Sequence, residues 1–231
     1  GETTKAGVVS RTLLADKIIL DASLTTGLPP AVTAATGIDA MVHAIEAFTT
    51  KRLKNPLSDM LACEALRLMA GNIETAVKQG DNLEARSAML LGAMLAGQAF
   101  ANAPVAAVHA LAYPLGGNYH IPHGLSNSLV LPHVLRFNAA HAGDLYAQLA
   151  PIILPGIELP QDPIAITELL ADYFLTLAHD LGLPTTLQQM NIAKSDLNLL
   201  AEEAMLQQRL LINNPREVSL EDALAIYEQA F

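Results

Sequence analysis

The chain has one cysteine, Cys63, among 231 residues. A single thiol cannot form an internal disulfide and cannot build a thiolate metal site. Its default is a structural side chain buried on a helix, and a cytoplasmic location is the expectation that follows. Basic residues are scarce as well. Thirteen Lys and Arg stand against 23 Asp and Glu, for a formal net charge of -10. No basic stripe is visible, which argues against nucleic acid as a partner.

Charged residues make up only 16% of the chain and apolar residues 52%. Even so, no stretch reaches the roughly 18 clean apolar residues of a membrane span. Residues 87–112 come nearest, and Gln98, Asn102, Pro104 and His109 interrupt them. That segment reads as a buried central helix, and no membrane partner is expected. The apolar excess instead points to a surface that meets another domain or subunit, so a homo-oligomer is expected. The opening GETTKAGVVS has neither the basic start nor the apolar core of a signal peptide.

What is present is mostly helical periodicity. Residues 8–9 and 17–21 look like short extended pieces, with β-branched KIIL closed by Asp21. From Pro30 on, AVTAATGIDAMVHAIEAF carries apolar residues at helical spacing, with the proline fit for a first turn. LSDMLACEALRLMAGNI reads as a second helix, with Ser58 or Asp59 as its start and Gly71 as its stop. LEARSAMLLGAMLAGQAFANA is a third, thinned by Gly92 and Gly97 so that neighbours can approach. HALAYPLGGNYHIPHG holds too many Pro and Gly for one continuous helix. It predicts a short helix, a turn, and a new helix from about Gly124, which Pro132 would kink or end. ITELLADYFLTLAHDLGLP, SDLNLLAEEAMLQQRLL and SLEDALAIYEQAF follow as helices, the last with Ser219 and Asp222 as a capping box. The expected architecture is an all-α helical bundle over 30–231, preceded by a short extended segment over 1–29.

Asp39 and His43 lie four residues apart on an expected helix, so their side chains share one face. Two ligands for one ion need that arrangement, although a surface hydrogen bond produces it too. Glu46, three residues on, either supports that pair from behind or faces solvent. Five of the seven histidines fall between His109 and His141. Buried imidazoles need partners. The turn between His109 and His123 lets both rings point inward, and His120 competes with His123 for that role. One Asp with three His is a mixed oxygen and nitrogen set suited to Fe(II) or Zn(II) and poor for Ca or Mg. Four protein ligands leave positions open for a substrate oxygen, the mark of a catalytic site. His133, His141 and His179 have ordinary alternatives on a helix surface, at a cap or in the core.

GIDAMVHAIEA and HALAYPLGGNYHIPHGLSNSLVLPHVLRFN resemble the two signatures of the iron-containing (group III) alcohol dehydrogenases. LPPAVTAATGIDAMVHAIEAF covers the first almost completely, and EDALAIYEQAF is similar to the family's C-terminus. The resemblance implies a helical domain like the C-terminal domain of dehydroquinate synthase, and it implies Asp39, His43, His109 and His123 as metal ligands. It thereby prefers His123 to His120. It also implies hydride transfer between a small alcohol or aldehyde and NAD or NADP. Two departures stand out. Many members read HALAHP where this chain reads HALAYP, so Tyr113 either relays protons in place of an imidazole or merely packs against the site. A phenol near pKa 10 is the poorer relay at neutral pH. The family's nucleotide-binding α/β half, with its Gly-rich phosphate loop, has no counterpart here, so the chain reads as a C-terminal fragment. TKAGVVSRTLLADKIILDASLT resembles the stretch before the helical domain. By that match Lys5 contacts the cofactor, and Leu24 and Thr25 approach its nicotinamide end. A metal-dependent hydrolase, with Glu46 as general base, and a non-catalytic helical module held by metal are the rival readings.

Overall fold

The computed structural model describes residues 10–13 and 15–231. Lys5 and residues 8–9 lie outside the described residues. Among those described there is no β-strand. Residues 17–21 lie outside any helix, and Ile18, Ile19 and Leu20 are exposed. Asp21 closes the segment as expected. Its carboxylate accepts from the Ser23 N–H at 2.9 Å and the Ser23 hydroxyl at 2.6 Å, starting a short 3-10 turn over Ala22–Thr25.

The helices follow in order: α1 (Pro30–Thr49), α2 (Pro56–Ala70), α3 (Ile73–Lys78), α4 (Leu83–Asn102), α5 (Ala107–Tyr119), α6 (His123–Ile153), α7 (Pro163–Asp180), α8 (Leu197–Met205), α9 (Gln208–Leu211) and α10 (Leu220–Ala230). α1 is buried over most of its length from Thr33 to Thr49. It packs against α2, α4 and α6. α6 in turn packs on α7 and α5, and α8 joins α5 to α10. α5, not α4, is the central helix. It is buried from Ala107 to Ala112, whereas α4 keeps one face in solvent. No single described helix is long and apolar enough to cross a membrane. α4 and α5 would pass only as a pair, and they bend by 107° at their break.

Local chemistry explains the boundaries. α2 starts two residues ahead of expectation, because the Asn55 side chain accepts from the Ser58 N–H at 3.0 Å and Pro56 fills the first position. Gly71 ends it, as the sequence indicates. The Ser219–Asp222 capping box at α10 is present with both of its reciprocal bonds. Pro132 does not end α6, which runs on to Ile153. Residues 125–131 and 133–135 are buried on both sides of the proline. At about 1.5–3 kcal/mol for each large apolar side chain buried, their packing outweighs one lost backbone hydrogen bond. The expected helix over 195–211 is broken instead, with α8 ending at Met205 and the short α9 following. Gly92 gives the close approach its size allows: a methyl there would lie 2.6 Å from Met69 Cγ on α2. Gly97 borders open space.

Candidate metal centre

Asp39, His43 and Glu46 sit on one face of α1, each about one turn from the next. That face looks at the start of α5 and the start of α6, where His109 and His123 lie. Asp39 Oδ1 is 4.0 Å from His43 Nε2, 3.7 Å from His109 Nε2 and 3.9 Å from His123 Nε2. One donor atom from each of the four residues lies within 4.8 Å of all the others. The expected quartet is therefore brought together in space. His120 is not part of it. It is the left-handed residue that ends α5, with φ 55°, and its side chain is exposed. His141 and His179 are also exposed, and His133 is buried farther along α6.

Glu46 is the residue the sequence leaves undecided, and of its two readings the solvent-facing one is wrong. It is buried, at 4% exposure, rather than facing solvent. Its Oε2 accepts from the Ala106 N–H at 3.0 Å and from His109 Nδ1 at 2.7 Å, and its Oε1 accepts from the Val108 N–H at 2.7 Å. α5 begins at Ala107, and its N-cap residue, Ala106, has no polar side-chain atom to cap it. Glu46 supplies the missing cap from another helix, at the positive end of the α5 dipole. The same carboxylate makes Nδ1 the protonated nitrogen of His109 and leaves the Nε2 lone pair facing the quartet. His109 Nε2 is buried and has no hydrogen-bond partner among the described residues. An uncapped Ala106 before an apolar helix is the signal that could have pointed to a distant acceptor.

The other imidazoles are held differently. The His43 ring stacks on Phe100 from α4, centroids 4.6 Å apart, and on His109 at the same distance. Burial pushes its pKa down to about 4. The neighbouring His109 adds to that, and Asp39 opposes it. Its lone pair is thus free near neutral pH, as metal ligation requires. His123, the first residue of α6, has 36% of its side chain exposed. Next to it, Gly124 lets α6 touch α1. A methyl there would come within 2.4 Å of the Ala35 carbonyl oxygen. Tyr113 is half-buried, its ring 6.0 Å from that of His123. Thr25 and Leu28 line a recess against Gly37 and Ala40 of α1, while Leu24 stands 82% exposed.

The donor set fits a divalent ion of the iron or zinc type. It offers one carboxylate oxygen and three imidazole nitrogens. One of those nitrogens is buried and unsatisfied, a state that otherwise costs about 1–3 kcal/mol.

The chain is similar to known proteins along nearly its whole length. Long-chain-alcohol dehydrogenase 1 of Geobacillus thermodenitrificans (strain NG80-2) is 42% identical over 234 residues, which cover 100% of this chain and 58% of that protein. Sulfoacetaldehyde reductase of Bilophila wadsworthia (strain 3_1_6) is 40% identical, over 98% of this chain and 59% of that protein. A crystal structure of 1,3-propanediol oxidoreductase superposes with a TM-score of 0.84 at 38% identity, over 91% of this chain and 55% of that one. The chain thus spans less than two thirds of each of these proteins. The model of the C-terminal part of the Fe-containing alcohol dehydrogenase family matches residues 33–231. Helical architecture, clustered donors and this match agree, and the chain belongs to the Fe-containing alcohol dehydrogenase family, as part of its C-terminal region.

Proposed function

We propose that the chain is the metal-holding part of an NAD- or NADP-dependent alcohol dehydrogenase that interconverts a small alcohol and its aldehyde. In this reading Asp39, His43, His109 and His123 hold one Fe(II) or Zn(II) ion. The observation that carries it is the buried, unpartnered His109 Nε2, aimed at three other donors while Glu46 fixes the opposite ring nitrogen. When bound, such an ion lowers the pKa of an alcohol oxygen and polarises a carbonyl as a Lewis acid.

The chain's own residues do the rest. Glu46 locks the His109 tautomer and the start of α5 in one step. Phe100 and His109 sandwich the His43 ring and fix its plane. Tyr113 walls the site beside His123. Its half-buried ring, 6.0 Å from that of His123, suits a packing role. Leu24 and Thr25 would meet the nicotinamide end of the cofactor, with Lys5 contacting it farther along. Residues 1–29 then form the junction to a nucleotide-binding domain, and 30–231 the catalytic helical domain. The uncovered Ile18, Ile19 and Leu24 side chains suit such a junction. A cytoplasmic homo-oligomer completes the proposal, consistent with the lone cysteine and the apolar excess.

Hydrolysis is disfavoured by one contact set. Glu46 was the one candidate base, and both its oxygens are engaged by Ala106, Val108 and His109.

Elemental analysis of the purified chain tests the proposal. About one Fe or Zn per chain is expected, with His123→Ala reducing it to a trace. Unchanged metal content in that variant overturns the ligand set. Calorimetric titration with NADH is expected to give only weak binding to this chain alone. Tight binding would remove the need for a separate nucleotide domain.

A further inference from the structure

Asn127 lies inside the cluster and has no role in the reading above. It is fully buried, one turn after His123 on α6 and on the same helix face. Its Nδ2 donates to Asp39 Oδ1 at 2.5 Å and lies 3.3 Å from His123 Nε2. Those two atoms are 3.9 Å apart, so the amide caps the edge between two of the four donors. Its own Oδ1 is buried without a hydrogen-bond partner among the described residues. Turning the amide over would set a carbonyl oxygen against the Asp39 carboxylate, so the orientation with nitrogen inward is the one the network favours. The amide gives up satisfaction of its own oxygen in order to donate to Asp39.

We infer that Asn127 is a positioning residue: its carboxamide holds Asp39 Oδ1 aimed into the quartet and thereby sets how tightly the ion is held. The inference rests on the metal-binding reading of the quartet. A carboxylate turns readily about its last torsion, which has broad, two-fold preferences. Asp39 keeps 14% of its side chain exposed, so packing alone does not stop that rotation. One N–H fixed to Oδ1 does. The oxygen has two lone-pair directions, one for Asn127 and one for an ion. The donor is also neutral. A Lys or Arg in its place would hold Asp39 equally well but would repel the cation the site is built to take.

The test is chelator-competition titration of this chain with Zn(II), and with Co(II) as a spectroscopic probe, in wild type, Asn127→Leu and Asn127→Ala. Leu keeps the bulk and removes the donor. Ala removes both, so either variant carries the comparison if the other misfolds. Zn(II) affinity is expected to fall about 10–100-fold in each. In an Asp39→Ala background the Asn127→Leu change should move affinity by less than about twofold, because its effect runs through Asp39. A purely structural role predicts the same loss in both backgrounds, and that result overturns the inference. So does wild-type affinity in both single variants. A wild-type chain that binds neither ion overturns the metal reading itself, a separate result.

Discussion

Three buried or half-buried histidines of this chain live under different rules. His109 is 3% exposed and has a carboxylate on one ring nitrogen. His133, on α6, is 7% exposed and has no ion pair with an acidic residue among those described. Burial, helped by nearby Arg136, pushes its pKa down to about 4. His123, on the same helix, has over a third of its side chain in solvent. The difference teaches what makes a buried imidazole useful. Burial alone yields a neutral, inert ring. Burial with a carboxylate on Nδ1 yields a ring with a fixed tautomer and a directed lone pair. Partial exposure yields a ring that can adjust to what it binds.

The sharpest way to break this contrast is to remove the carboxylate. Glu46→Ala should cost about 3–5 kcal/mol, because it strands two backbone N–H groups and the His109 donor in the core. Denaturant melts measure it, and metal titration should show at least a tenfold loss of affinity. A cost below about 1 kcal/mol would place Glu46 among ordinary surface acids.

The next effect concerns His133 and has a definite sign. The unfolded chain takes up a proton near the ordinary pKa of 6.5, but the folded chain does so only near 4. The native state therefore has this contribution in full above pH 6.5 and loses it as pH falls toward 4. The loss is on the order of 3 kcal/mol. His133→Leu should remove that acid sensitivity, seen as a flatter plot of urea midpoint against pH. Identical slopes for the two proteins would mean that the ring is better solvated than its burial indicates.

His123 should separate binding from folding. His123→Ala is expected to abolish stoichiometric metal yet shift the stability of the chelated chain by less than His109→Ala does, because its side chain is only partly buried. His109→Ala should lose both, and paired melts with chelator compare them directly. The smallest effect is expected at Tyr113. Replacing it by Phe in a complete enzyme should change kcat less than about twofold and leave the pH profile in place, since only the hydroxyl is lost. A shifted profile would restore the phenol as a proton relay.

Much of this was legible in the sequence because helices announce themselves locally. The spacing of apolar residues located α1, α2, α4, α7 and α10. The spacing of Asp39 and His43 showed a shared helix face, and the family resemblance was needed to single them out as ligands. The misses are of one kind. Ser58 and Asp59 look like helix starts, but the cap is Asn55, whose neighbour Pro56 sets the first turn. Pro132 looks like a stop, but burial of the flanking residues carries α6 through it. Glu46 looks like a surface acid because its partners lie some 60 residues later in the chain. Asn127 carries no ordinary sequence signal at all. Long-range satisfaction of polar groups is what local pattern cannot show.

The contact at Gly124 has a consequence for how the site can change. The first turn of α6 rests on the backbone of α1 with no side chain between them. The closest approach of the two helices is thus set by main chain rather than by the donors they carry. A smaller ion cannot be accommodated by drawing the two helices together. The adjustment must come from side-chain torsions, and His123 is the ring with room to make it. In the proposed metal reading, preference for one ion over another then depends on the reach of the His123 rotamer against that limit. Even an alanine at position 124 would shift that limit without touching a single donor atom.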